Sequence, residues 1–344
     1  MSAERSVFLT GGSGFIGGRL IRRLASDGWS VRALARSSSA ADKVRAAGAE
    51  PVGGDLEQLD RMRSGAEGCS HAFHAAAQLG EWGQREEFER INVGGTRNAL
   101  RACREAGVSR FVHVGTEAAL LAGRPLVDVD ESAPLRPDSK APYAATKALA
   151  EQAVREASYD GFQTVVVRPR LVWGRGDTTI LPNLIRAIES GRFAWIGGGR
   201  HRTSTTHVDN AVHGLVLAAE KGKPGGVYFV TDGEPVVFRD FITELVATQH
   251  VDVPDRNLPA PLARLAAATC ESVWRGFRLK GTPPVTRIAV WLSALDTTID
   301  ISRARAELGY EPLRTIGDGM EELRRASREA NPDGSSSTGP PPTG

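Results

Sequence analysis

Apolar positions fall into short blocks from the start of the chain. Val7-Phe8-Leu9 is an apolar run that stops at a glycine turn. Apolar residues then recur at helical spacing over residues 16–25, ending before Asp27-Gly28. Residues 31–35 form a second apolar run. Strand, turn, helix and strand in that order make a βαβ unit, which demands a parallel sheet. The rhythm continues. Residues 50–52 predict a strand before the Gly53-Gly54-Asp55 turn, and residues 71–75 another. A helix is expected at 93–106, a strand at 110–114, a helix at 144–157 and a strand at 164–168, closed by Pro169. Six or seven such strands make an α/β fold with a doubly wound parallel sheet.

After Gly174 the alternation loosens. Helical spacing returns at 181–190 and 210–220, on either side of Gly197-Gly198-Gly199, and residues 227–230 read as a strand returning to the sheet. From Pro235 onward helices alternate with proline joints at Pro254, Pro259, Pro261, Pro283 and Pro284. These shifts divide the chain into a first domain at 1–175, rejoined by 200–232, and a smaller, mostly helical C-terminal lobe at 176–199 and 233–330 that would bind substrate. Residues 331–344 are rich in Gly, Ser, Pro and Thr and are expected to be disordered.

Composition narrows the function classes. A hydrophobic fraction of 41% and a charged fraction of 24% are enough to build a sizeable globular core. The formal net charge is +2, with basic residues scattered among acidic ones, so no nucleic-acid partner is expected. Cys69, Cys103 and Cys270 are too few and too scattered for a disulfide framework or a zinc site. They fit a reducing cytoplasm, and no metal is expected. There is no signal-peptide pattern, and no apolar run approaches the ~18 residues of a spanning helix. Residues 258–279 are apolar with arginines at intervals and include Trp274 and Phe277. They predict a lobe helix packed on the core; a pocket wall for a hydrophobic substrate and peripheral membrane contact are two further readings.

The first turn carries chemistry. Gly11, Gly14 and Gly17 lie three apart between the first strand and the first helix, with Ser13, Phe15 and Ile16 among them. Missing side chains let backbone N–H groups approach a pyrophosphate, and the helix N-terminus adds a positive dipole end. The spacing is Gly-x-x-Gly-x-x-Gly, inside a βαβ unit, which points to a dinucleotide. At the end of the second strand an NAD site places an acid for the ribose 2′-hydroxyl. This chain has Ala35, then Arg36 and Ser37, which suit a 2′-phosphate. NADP(H) is therefore preferred over NAD(H). Asp55 is a candidate for the adenine amino group, with a simple turn role as the alternative.

Tyr143 and Lys147 stand four residues apart at the start of a predicted helix, hence on one face. A free phenol has a pKa near ~10, and a neighbouring ammonium is expected to lower it toward the range useful for proton exchange. Thr116 follows the strand at 110–114, at the strand end that faces the ligand crevice of a doubly wound sheet, and offers a hydroxyl to a carbonyl oxygen.

With these residues placed, the chain resembles the extended short-chain dehydrogenase/reductase family, a Rossmann-fold family, over about residues 5–325. The resemblance rests on the glycine loop, Gly54-Asp55-Leu56, His74-Ala75-Ala76, Asn92-Val93-Gly94-Gly95-Thr96, Tyr143 to Lys147, and Arg168-Pro169 through Trp173-Gly174. It implies Tyr143 as general acid/base, Lys147 as its partner, Thr116 in place of the usual serine, and Asn92 steadying a proton relay. It also adds Leu56, Ala75, Ala76, Lys147 and Arg168 to the cofactor contacts, and has His74 packing near the cofactor rather than reacting. Within the family the chain looks most like the 3β-hydroxysteroid dehydrogenase and dihydroflavonol reductase-like branch. That likeness rests on Thr205 to Asn210, Pro283 to Arg287, Asp300 to Arg305 and Leu308 to Pro312. Sugar-nucleotide epimerases usually carry an Arg-Asp pair where this chain has Thr203 and Ser204, with Arg202 adjacent. The resemblance implies interconversion of a ketone and a secondary alcohol on a hydrophobic small molecule, with an epimerase or dehydratase as the alternative. A homodimer through two paired helices is a further implication.

Overall fold

The computed structural model describes residues 5–330. The expectation of disorder at 331–344 lies outside the described residues. Seven parallel strands form the main sheet: β1 (Ser6–Thr10), β2 (Ser30–Ala35), β3 (Glu50–Gly53), β4 (His71–His74), β5 (Arg110–Val114), β6 (Gln163–Pro169) and β7 (Val227–Val230). Their spatial order is β7-β6-β5-β4-β1-β2-β3. The chain winds outward in both directions from β1, so the crevice between β1 and β4 is the switch point where such sheets take ligands.

Strand parity explains the two faces. Val7, Leu9, Val112, Val165 and Val167 point to one side, where α1 (Phe15–Ser26), α2 (Ser38–Ala47) and Val208–Lys221 cover them. Phe8, Phe111 and Val166 point to the other, against α3 (Leu59–Ala66), α4 (Gly95–Glu105) and α5 (Pro142–Glu156). Successive side chains alternate across a strand, so a sheet buried on both faces reads as unbroken apolar runs. That is why Val7-Phe8-Leu9 is fully buried.

Two entrances differ from the sequence expectation. The helix expected from residue 93 is entered through Arg85–Phe88 and a π-helical turn, Glu89–Gly94, before α4. The strand expected at 71–75 stops at His74.

Besides α7 (Val208–Lys221), which covers the main sheet, the C-terminal lobe contains α6 (Ile180–Glu189), α8 (Phe238–Ala247), α9 (Ala260–Gly276), α10 (Arg287–Ala294), α11 (Ser302–Leu308) and α12 (Ile316–Ala330). A core of Trp173, Leu181, Trp195, Phe241, Ile242, Leu245, Met320 and Leu323 holds it to the main sheet's crevice side. The chain also forms a small mixed sheet, shared between the lobe and the first domain, that the helical reading did not include. Its strands are Val236–Val237, Arg202–Thr203, Thr297–Ile299 and Leu126–Val129. All three cysteines are free; Cys69 and Cys103 are sealed beneath the sheet, and Cys270 on α9 is half-buried. Among the described residues no helix is long and apolar enough to cross a membrane.

Candidate active site

The glycine loop is shaped by contacts that a side chain would destroy. Gly11 has φ +79°, and a Cβ there would lie 2.6 Å from the Ala75 carbonyl carbon and the Ala76 nitrogen. A Cβ on Gly17 would collide with the Gly11 carbonyl. The Gly14 amide donates to that carbonyl at 3.0 Å, closing the turn. No side chain caps α1 and no acid stands in its first turn. The leading amides of Phe15 and Ile16 therefore remain available to an anion. Ser13 is exposed at the loop tip. Arg36 and Ser37 are exposed at the crevice end of β2, where Ser37 also caps α2 by accepting from the Ala40 amide at 3.2 Å. This cradle fits a dinucleotide phosphate.

Two of the expected contacts also have local partners. Asp55 accepts the Glu57 amide at 2.9 Å, the turn role held as its alternative. Leu56 packs where Gly95 leaves room, since a Cβ on Gly95 would sit 2.7 Å from the Leu56 side chain. Arg168 needs correction as a cofactor contact. It shares strand parity with Val166, so its guanidinium lies under α5, donating to Glu151 from Nε at 2.9 Å. It is fully buried, with its cationic carbon 5.1 Å from the centre of the Phe229 ring. Its charge belongs to the core.

Pro142 opens α5, so Tyr143 and Lys147 stand one turn apart at its start. Lys147 is buried and donates to the Val114 carbonyl at 2.8 Å, with the His113 ring nitrogen Nε2 at 3.4 Å. Burial pushes its ammonium down to about 8, and the Glu151 charge works against that shift. His113 stacks on His74 at 5.3 Å. His74 is fixed between the Thr10 hydroxyl at 2.7 Å and the Thr96 hydroxyl at 2.9 Å. Burial, aided by the Lys147 charge, holds His74 down to about 3 and His113 well below its ordinary value. Both rings are neutral at physiological pH.

The phenol differs from expectation. Burial and the Glu117 charge raise Tyr143 above its ordinary value. Lys147 directs its hydrogen bond at β5. The Thr116 hydroxyl donates to Glu117 at 2.8 Å, and its oxygen accepts the Ala118 amide at 3.2 Å. Glu117 is buried, and its second oxygen accepts from Arg170 at 2.5 Å. Arg170 is also wholly buried and donates to Thr203 at 3.1 Å. Glu117 and Arg170 were not among the expected site residues. Their signal was present: an acid directly after Thr116 and a second arginine in Arg168-Pro169-Arg170.

Asn92 sits in the π-helical turn, a backbone irregularity common at functional sites. Its carbonyl oxygen accepts the Gln78 amide at 2.7 Å, and its amide group donates to Thr146 at 3.1 Å. It thereby ties the segment after β4 to α5, beside Lys147. On the lobe side, Ile288 and Trp291 of α10 join Tyr143, Ala118, Leu121 and Ala144 in one apolar cluster. A cavity of about 340 Å³ opens behind Trp291, lined by Arg136, Lys140, Arg264 and Arg287.

A sequence profile of the 3-beta hydroxysteroid dehydrogenase/isomerase family matches residues 8–260. A 4-hydroxy-2-methyl-3-oxo-4-farnesyl-3,4-dihydroquinoline-1-oxide ketoreductase of Stigmatella aurantiaca is 49% identical over 93% of this chain and 96% of its own. A 2-alkyl-3-oxoalkanoate reductase of Stenotrophomonas maltophilia is 34% identical over 93% of this chain and 99% of its own. Among solved structures, MoeE5 in complex with UDP-glucose and NAD superposes with a TM-score of 0.73 at 23% identity, covering 94% of this chain and 99% of that one. At that identity the likeness speaks for the fold alone.

Proposed function

Because the chain belongs to the 3-beta hydroxysteroid dehydrogenase/isomerase family, within the extended short-chain dehydrogenases/reductases, we propose that it reduces a ketone to a secondary alcohol on a largely apolar small molecule, using NADP(H). One observation carries the reading: Tyr143 and Lys147 open the same helix at the crevice end of β5, beside a glycine cradle fitted to a phosphate. Gly11, Gly14, Gly17 and the amides of Ser13, Phe15 and Ile16 would hold the pyrophosphate. Arg36 and Ser37 would meet the 2′-phosphate, Asp55, Leu56, Ala75 and Ala76 would line the nucleoside, and Lys147 would bond the nicotinamide ribose. When bound, the nicotinamide supplies or accepts the hydride.

The rest falls to the protein's own groups. Tyr143 stays protonated at neutral pH and gives that proton to the carbonyl oxygen. Lys147 holds the end of β5, and Asn92 holds the segment opposite it. Such acid/base assistance is typically worth ~10²–10⁴ in rate. The lobe at 176–199 and 233–330, with Ile288 and Trp291 near the phenol, would bind the apolar body of the substrate. The ketoreductase and 3-oxoalkanoate reductase names of the relatives support a ketone beside a hydrocarbon chain. An epimerase is less well supported, since Thr203 and Ser204 are wholly buried and Arg202 donates to the Pro235 carbonyl.

The test is NADPH consumption with a long-chain 2-alkyl-3-oxo acid, a farnesylated dihydroquinoline oxide and a 3-ketosteroid, with UDP-glucose epimerisation as the comparison. Turnover of one ketone is expected. Epimerisation without ketone reduction would refute the reading.

A further inference from the structure

Exposed apolar side chains are ordinary when scattered and informative when they cluster. Among the described residues nine large apolar side chains are exposed, and five of them, Leu262, Leu265, Val273, Phe277 and Leu279, fall within residues 262–279. Helix geometry makes four of these one surface. At about 3.6 residues per turn, Leu262, Leu265, Val273 and Phe277 share a stripe about 120° wide on α9 and its C-terminal end. Phe277 is 77% exposed and Leu265 64%. The opposite side of the helix looks inward. Ala263 and Ala267 are fully buried against Val290 of α10, and Glu271 is buried beside them and paired with Arg287.

The charge around the stripe is one-sided. From Arg256 to Leu295 the chain has six basic residues, Arg256, Arg264, Arg275, Arg278, Lys280 and Arg287, and a single acid, the buried Glu271. The whole chain carries only +2, so the remainder is net acidic and the basic excess is local. Arg264, Arg275, Arg278 and Lys280 are exposed beside the stripe and at its end. Lys140 lines the same cavity as Arg264 and extends that basic edge. Glu81 also reaches this side, accepting the Thr286 hydroxyl at 3.1 Å, and leaves the balance positive.

We propose that the outer face of α9 docks on an anionic phospholipid surface, with Leu262, Leu265, Val273 and Phe277 entering the headgroup boundary and Arg264, Arg275, Arg278 and Lys280 meeting lipid phosphates. An apolar stripe bordered by cations is the pattern that lies in a membrane interface without crossing it. A second copy of the chain is a poorer occupant. A twofold contact sets a patch against itself, and here it would press like charges together. The position of α9 gives the docking a use. Its inner face lies on α10, and α10 carries Ile288 and Trp291 to the phenol. A docked lobe would stand where an apolar ketone accumulates. Docking itself is independent of the catalytic reading and is measured without turnover.

The full chain is sedimented at low salt with vesicles of phosphatidylcholine alone, and with vesicles of phosphatidylcholine and phosphatidylglycerol in equal parts. Binding to the anionic vesicles should be at least about tenfold tighter, since each cation near such a leaflet strengthens binding about fivefold. Molar salt should remove most of that difference. Leu265→Glu/Phe277→Glu should weaken binding to the anionic vesicles by about tenfold or more. Arg264→Gln/Arg275→Gln/Arg278→Gln/Lys280→Gln should reduce it to the level seen on phosphatidylcholine. Leu313→Glu, at an exposed apolar position outside this segment, should bind like the unmodified protein. No preference for anionic vesicles overturns the proposal, as does a preference that survives both sets of substitutions. So does a dimer in sedimentation velocity that Leu265→Glu/Phe277→Glu dissociates while the vesicles go unbound, because a second copy then covers the face.

Discussion

At the scale of single residues, Tyr143 and Lys147 were readable because i and i+4 on a helix leave little freedom in where side chains go. The cost of ionising the phenol was not readable, since it comes first from burial and then from Glu117, whose carboxylate is paired with Arg170, 53 residues away. Arg168 was misplaced because a strand residue's face depends on register, which pairing with β5 and β7 decides. Two substitutions test the assignments. Tyr143→Phe should lower kcat by ~10²–10⁴ while fluorescence titration shows NADPH still bound; retained turnover would remove Tyr143 from the chemistry. Arg36→Ala should weaken NADPH binding by about 10- to 100-fold, the worth of a charge-assisted hydrogen bond, and move NADH by less than about threefold. Equal losses for both cofactors would show that Arg36 does not read the 2′-phosphate.

At the scale of elements, the long strands and helices were legible because their apolar periods run for five residues or more. The π-helical turn was not, because its extra residue per turn leaves no compositional mark. The short strands of the second sheet escaped for a related reason. Leu126–Val129 pairs with Thr297–Ile299 across the length of the domain, and the Thr298 hydroxyl fixes the Asp128 amide at 2.7 Å. No local pattern announces such a contact. The paired rings on β4 and β5 have a measurable consequence. His74 is held down to about 3 from an ordinary 6.5, so between those values the unfolded chain takes a proton that the folded chain refuses. His113 acts with the same sign. Stability should therefore fall as pH drops through that window, by ~1.4 kcal/mol per pH unit for each such histidine. Urea unfolding midpoints should fall with acid, and the fall should be shallower in His74→Asn; an unchanged slope would contradict the burial argument.

At the scale of the whole molecule, the doubly wound sheet and its ligand edge followed from the alternation alone, because both faces of a parallel sheet must be covered. How the lobe closes on the site did not follow, since Trp291 reaches Tyr143 only through tertiary packing. The outer surface of the lobe has its own character. Leu262, Leu265 and Phe277 of α9 and its C-terminal end are more than half exposed, while Ala263 and Ala267 of the same helix face inward. Leu265→Glu/Phe277→Glu should leave the melting temperature within about 2 °C, as surface changes usually do. A larger drop would show that these side chains hold the lobe together.

The unequal burial of the three thiols offers a practical handle. A maleimide dye added to the native protein will find Cys270 and pass over Cys69 and Cys103, which lie beneath the sheet. One reporter can thus be placed on the lobe of the unmutated protein, and its emission can follow that lobe while NADPH or a ketone is titrated in.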